Sequence, residues 1–407
     1  MNDRIYLDHA ATTPLRAEVL DAMLPWMGLA ADAGYGNSST LYGEGRRARQ
    51  ALEQARGTIA QAINASPTEI VFTSGGTESN NSLIHGLATA IRQKRGLEKG
   101  GNTLVASSFE HHAVLEPLQH MRQSGWKTVL VDPTRQGFVS AEALGARLER
   151  VVPAAAAGVP AAAAVQDAPP CTLVSIMTVN NEIGTIQPVR ELADVAHRYG
   201  ALFHTDAVQA LGKIPFDVAQ LGIDAASFSA HKIGGPKGSG AFYLRALTPF
   251  APLLLGGGQE RGLRSGTANV AAAVGFAKAL QLAQAELEDE TNRLHTLRAD
   301  LLARLLSLSS RIHLTIEEPG DRVVPQIVSV WVDDLDSETM IMRFDEVGIS
   351  VSGGSACSTG SLDPSHVLTA LGVKRAQALS ALRISLGRST TASDLDAFVA
   401  AFGQLLQ

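Results

Sequence analysis

The chain has 407 residues, 45% hydrophobic and 18% charged, with a formal net charge of -6. This is the composition of an ordinary soluble globular protein with room for a large core and about two domains. The modest charge, with no basic arm or acidic tail, gives no reason to expect nucleic acid or a membrane surface as partner. Cys171 and Cys357 are too few for a disulfide framework or a thiolate metal site. No apolar run reaches the length of a membrane span, and Met1-Asn2-Asp3-Arg4-Ile5 enters a strand-like segment with no signal peptide. A cytoplasmic location is therefore expected, where a thiol stays reduced.

In chain order, helical spacing covers 16–27 and 46–65, separated by the loop-forming Gly34–Ser39. Ile70–Thr73 reads as a short buried strand that runs through Ser74-Gly75-Gly76-Thr77 into a helix ending near residue 94. Further strands are expected at 103–107, 127–131, 172–178, 201–205, 225–229 and 240–244, with helices at 113–124, 141–151 and 189–198. Strands alternating with helices predict an α/β fold with a mainly parallel sheet covered on both faces. Residues 153–170, rich in alanine and proline, read as a surface insertion without chemical role. From 270 to 306, leucines at helix-like intervals predict one long helix opening a second, α+β domain. Its strands are 327–332, 349–351 and 381–385, and a helix over 393–406 closes it.

Ligands in such sheets sit beyond the carboxyl ends of the strands, so the loops there hold the candidates. Asp206 ends one apolar strand and needs a cationic or donor partner. Lys232 follows the next strand in a glycine-rich turn, as a Schiff-base amine would. A lysine for an aldehyde and a carboxylate for a pyridine nitrogen suit pyridoxal phosphate. Gly75-Gly76-Thr77 at a helix start, with Ser229 and His231 beside the lysine, can bind a phosphate. The Glu110-His111-His112 stretch puts a flat imidazole at another strand end, able to stack on a ring and move protons. Each feature alone also fits a structural role as helix start, cap or surface pair; together they fall at the strand ends of one fold. Finally, Ser352–Ser361 places Cys357 among glycines and serines that offer no apolar burial, which marks its thiol as reactive.

The chain resembles the cysteine desulfurases, pyridoxal-phosphate enzymes of the aminotransferase class V family. The resemblance runs through Tyr6–Pro14, Phe72–Asn80, Val179–Gly184, His204–Gln209, Ser229–Gly238, Gly256–Thr267 and the Cys357 run. It implies fold type I: a large domain (16–262) with a mainly parallel seven-stranded sheet between helices, and a smaller α+β domain (263–407). Residues 1–15 would pack on the smaller domain. It implies Lys232 as the cofactor lysine, Asp206 on the pyridine nitrogen, Gln209 on the ring hydroxyl and His111 stacked on the ring. Gly76, Thr77, Ser229 and His231 would hold the phosphate, and Thr267 would reach the phosphate in the partner subunit of a homodimer. Asn181 would lie beside cofactor and substrate, and Arg383 would take the substrate carboxylate. Cys357 would take sulfur from L-cysteine as a persulfide, leaving L-alanine, and pass it to an acceptor or iron–sulfur scaffold protein. No resident metal is implied, only a transient contact of Cys357 with a cluster during transfer. The long loop fits the iron–sulfur assembly and nitrogenase-maturation group. The chain ends at Gln407, so the scaffold-docking extension of housekeeping members is expected to be missing, and the acceptor is open. Gly234 stands where the family often has tyrosine. A related lyase acting on selenocysteine or cysteine sulfinate, or a sulfur-relay protein without turnover, is the alternative.

Overall fold

The computed structural model describes residues 4–28, 34–94, 102–151, 171–316, 320–353 and 363–407. The Ala/Pro-rich stretch, apart from its neighbours, and Cys357 lie outside the described residues. The strands are β1 (Ile5–Tyr6), β2 (Ile70–Thr73), β3 (Thr103–Ser107), β4 (Lys127–Val131), β5 (Cys171–Ser175), β6 (Leu202–Asp206), β7 (Ala225–Ser229), β8 (Gly240–Leu244), β9 (Ile312–Leu314), β10 (Ile327–Val332), β11 (Ile349–Ser350) and β12 (Ala381–Ser385).

Seven of them form one sheet in the order β2-β8-β7-β6-β5-β3-β4. Only β8 runs against the others, pairing antiparallel with both β2 and β7. Every residue of β3, β7 and β8 is buried, as a sheet covered on both faces requires. The helix Gly76–Lys94 lays Leu83, Ile84 and Leu87 on one face. On the other face lie Ile59 of Gly43–Ala62 and Leu192 and Ala196 of Val189–Arg198. The register pairs Asp206 with Ser227. Asp206 and the turn after Ser229 are therefore neighbours at one edge of the sheet, on the side where the parallel strands end.

A second, antiparallel sheet has the order β12-β10-β9. Leu294, Leu301 and Leu305 of Leu287–Leu308 pack with Phe344, Phe398 and Phe402 in its core. The amino-terminal segment joins this core: β1 pairs parallel with β11, and Leu7 is fully buried there. The chain then crosses to the larger sheet, carrying Ala10 and Ala11 to its strand ends.

The single helix expected over 270–306 is two, Val270–Ala285 and Leu287–Leu308. The first buries Phe276 and Leu280 in the larger core, the second belongs to the smaller. They part at Glu286, whose carboxylate takes both terminal nitrogens of Arg16 at 2.8 and 2.7 Å and lies 3.4 Å from Arg388. Near the amino terminus, the helix expected over 16–27 is α-helical only over Ala17–Met23 and tightens to a 3-10 turn at Leu24–Trp26. Pro25 has no N–H to continue the ladder. No helix among the described residues is long and apolar enough to cross a membrane.

Candidate active site

Asp206, Lys232, His111, Gln209, Ser229, His231, Asn181, Gly76, Thr77 and Arg383 all line one cavity of about 400 Å³. Two elements of the larger sheet supply its opposing charges. The apolar strand β6 delivers Asp206 into the interior, where Asn80 Nδ2 donates to Oδ2 at 2.6 Å and the Val208 N–H donates to Oδ1 at 3.0 Å. These donors favour a carboxylate that burial would otherwise penalise. One strand over, β7 ends at Ser229 and a single 3-10 turn, Ala230–Lys232, swings the lysine back to the same strand ends. Its Nζ donates to the carbonyls of Ala10 and Ala11, each at 2.6 Å.

His111 is the N-cap of His112–Gln123, and its Nδ1 accepts from the Ala113 N–H at 3.0 Å. Burial holds its pKa below the ordinary range. The ring is thus neutral near pH 7 and, with Nδ1 accepting, carries its proton on Nε2. Burial also brings His231 down to about 4. Its Nδ1 meets Thr12 Oγ1 at 3.0 Å.

Beside the cavity a recess of about 310 Å³ is lined by Thr12, Gly75, Gly76, Thr77, Ser229, His231 and Lys237. The start of the Gly76–Lys94 helix faces it, which suits an anion. Gly75 has φ +154°, and a Cβ on Gly76 would stand 2.7 Å from Val208 Cγ2. Glycine serves Gly75 through its positive φ and Gly76 through the close approach of the Val208 side chain. Gly234 also has a cause: its φ is +78°, and a Cβ would fall 2.6 Å from Arg16 Cγ. Its N–H donates to Thr13 Oγ1 at 2.7 Å, which fastens the lysine turn to the amino-terminal segment.

Arg383 comes from β12 of the smaller sheet and is almost fully buried. Nη1 donates to the Asn181 carbonyl at 2.9 Å and Nη2 to Asp8 Oδ1 at 2.8 Å. Its Nε has no partner among the described residues. Thr267 is not in the cavity; it is exposed, three residues before the helix Val270–Ala285. Its segment is anchored by Arg264, which grips Glu78 at 2.7 and 3.1 Å. Cys357 lies outside the described residues. Both flanks of its run touch the site, since Ser352 exchanges backbone hydrogen bonds with Arg383 at 3.2 and 2.7 Å and His366 lines the cavity.

Sequence reasoning gave no role to Asn80, Asp8, Lys213, Glu110, Glu182 or His366. Asn80 and Asp8 hold the charges of Asp206 and Arg383, and their signal was only membership of a quoted motif. Glu182 Oε2 accepts from Ser365 Oγ at 2.5 Å, and burial raises its pKa. Glu110 is fully buried; Oε1 accepts from Ser107 Oγ and from the Met177 N–H at 2.9 Å, while Oε2 has no partner among the described residues. Burial pushes its pKa up to about 8, with the charge of Asp206 adding to the rise. A carboxyl whose folded pKa is raised gives stability that is complete below its unfolded value and lost as pH climbs through about 8. Melting the apoprotein at about pH 5 and about pH 8.5 should show the Glu110→Gln variant losing fewer degrees than wild type; parallel losses would contradict a buried, protonated Glu110.

The aminotransferase class-V family model matches residues 5–398. A protein named cysteine desulfurase IscS from Dictyoglomus turgidum is 41% identical over 396 residues, covering 97% of this chain and 93% of that protein. One of the same name from Methanosarcina thermophila is 40% identical over 406 residues, covering 100% and 93%. Among solved structures, a NifS-like protein superposes with a TM-score of 0.84 at 35% identity, covering 99% of both chains.

Proposed function

Because the chain belongs to the aminotransferase class-V family, we propose that it is a cysteine desulfurase working with pyridoxal phosphate. One observation carries the reading: an amine, Lys232, and a carboxylate, Asp206, end neighbouring strands on one cavity that Arg383 closes from the smaller sheet. The residues fit that cofactor. The cavity holds a planar ring's volume, the glycine-lined recess beside it suits a phosphate, and the donor set combines an amine, a buried carboxylate and a neutral imidazole. When bound, the cofactor supplies an electron sink that labilises the bonds at the α-carbon of an amino acid.

The chain's residues divide the work around it. Asp206 would pair with the protonated ring nitrogen, with Asn80 and the Val208 N–H fixing its carboxylate. Gln209 would serve the ring hydroxyl, and His111 would offer a flat face with a proton on Nε2. Gly76, Thr77, Ser229 and His231 would take the phosphate. Lys232 would tether the cofactor and then move the substrate's α-proton. Arg383 and Asn181 orient the substrate carboxylate; with Nη2 on Asp8, the substrate shares or displaces that contact. The Cys357 thiolate attacks the substrate sulfur. A sulfur–sulfur bond forms, the substrate's carbon–sulfur bond breaks, and the carbon fragment takes the electrons and protons that make it L-alanine. The persulfide then passes its outer sulfur to an acceptor thiol, such as that of an iron–sulfur scaffold protein.

We further propose a homodimer in which the exposed Thr267 reaches the partner's phosphate. We propose two domains, a cofactor-binding one over 16–262 and a smaller one over 263–407 that bears Arg383 and the Cys357 run, with residues 1–15 on the smaller; the helix Val270–Ala285 packs in the larger core at their border. Incubation with L-cysteine and pyridoxal phosphate, followed by peptide mass measurement, tests the reading. It should show L-alanine release and one extra sulfur on the Cys357 peptide. Alanine without that sulfur would point to a lyase, and neither product to a protein without turnover.

A further inference from the structure

One half-buried cation is not used in this mechanism. Lys213 sits one helical turn beyond Gln209, in the turns that follow β6, and its Nζ donates to Gln209 Oε1 at 2.7 Å. The two ends of a glutamine amide have nearly the same shape but opposite hydrogen-bonding character. An ammonium only donates, so the end of Gln209 that Lys213 holds must be the carbonyl. The amide NH₂ then points the other way, where it donates to the Ala10 carbonyl at 2.9 Å. Lys232 donates to the same carbonyl at 2.6 Å. Lys213, Gln209, Ala10 and Lys232 thus form one continuous chain of hydrogen bonds ending at the cofactor lysine.

The ammonium is costly where it stands. Burial lowers its pKa to about 7, and the charges that add to the fall, Lys232 and Arg383, are both cations. Lys213 in turn disfavours charge on the nearby imidazoles of His9 and His231.

We infer that Lys213 is a positioning residue: by holding the Gln209 carbonyl, it directs the amide N–H groups to the Ala10 carbonyl and toward the place of the cofactor ring hydroxyl. This rests on the reading of the cavity as a pyridoxal phosphate site. A through-space charge effect of Lys213 would not need Gln209, whereas positioning acts only through it. A double-mutant cycle separates the two. The cofactor dissociation constant, read from the visible absorbance of the bound cofactor, is measured for wild type, Lys213→Met, Gln209→Ala and the double variant. Lys213→Met should weaken cofactor binding about tenfold alone and less than about twofold in the Gln209→Ala background. Its band should also titrate at a different pH from wild type, and Lys213→Arg, which keeps the donor, should restore both readouts. Equal weakening in the two backgrounds, or none in either, overturns the inference. Should Lys213→Met fail to fold in a melt of the apoprotein, Lys213→Ala, which also removes the donor, enters the same cycle. If wild type itself forms no adduct on Lys232, the underlying reading fails instead.

Discussion

Replacing Lys232 by alanine is expected to lower turnover on L-cysteine by about 10⁴-fold or more, because one amine performs two tasks, tethering the cofactor and moving the α-proton. The rest of the site should survive the change. Asp206 keeps Asn80 and the Val208 N–H, His111 keeps its cap on Ala113, and the glycine-lined recess does not involve the lysine side chain. The variant should therefore still bind pyridoxal phosphate, but reversibly, and dialysis should strip it. Borohydride followed by peptide mapping should tag Lys232 in wild type and no lysine in the variant. Of its two carbonyl partners, Ala10 retains Gln209 and Ala11 loses its donor from the side chain, worth about 1 kcal/mol. Turnover within tenfold of wild type, or a borohydride tag on another lysine, would remove Lys232 from its place in the mechanism.

The contrast between Lys232 and Lys213 shows what a sequence of this kind discloses. Lys232 was legible because strand, polar turn and glycines announce a strand-end loop, and chemistry in an open α/β sheet gathers at such loops. Asp206, His111 and the Gly75-Gly76-Thr77 turn were legible for the same reason. Lys213 follows Gln209 by one helical turn, a spacing that places the two side chains together, yet a lysine in a turn ordinarily faces water. What made it different was partial burial beside a cavity that Gln326 and Leu386 also line, which no local pattern reports. Asn80 and Asp8 were hidden more deeply. Their partners lie 126 and 375 residues away, and nothing near either residue marks it as the counterpart of a distant charge. The break at Glu286 was obscured by regularity itself. Leu280, Leu287 and Leu294 continue their seven-residue spacing straight through it, while the helices part where Arg16 and Arg388 claim the glutamate carboxylate.

Cys357→Ala should abolish sulfide and persulfide formation from L-cysteine while leaving cofactor binding intact. The two halves of that outcome rest on different parts of the chain. Cofactor binding depends on Lys232, Asp206 and the recess at the helix start, all held by the larger sheet and the segment around Ala10. The thiol belongs to a run whose flanks are fixed on different sides of the cavity, one by the smaller sheet and one by the strand ends of the larger. Ser352 is paired with Arg383 through both of its backbone groups, and on the far side Ser365 donates to Glu182 while His366 donates from Nε2 to the Glu110 carbonyl at 2.8 Å. Ser352, the last described residue but one before the run, lies beside the guanidinium assigned to the substrate carboxylate. A thiol near a bound cysteine meets its sulfur at a high effective concentration. Alanine leaves both flanks and their hydrogen bonds in place but removes the sulfur nucleophile. The absorbance of bound pyridoxal phosphate and its shift on adding L-cysteine should match wild type, and alanine release should stop. Near-full turnover in the variant would sink the persulfide route and favour direct elimination. Loss of the cofactor signal would instead make the run part of the binding site.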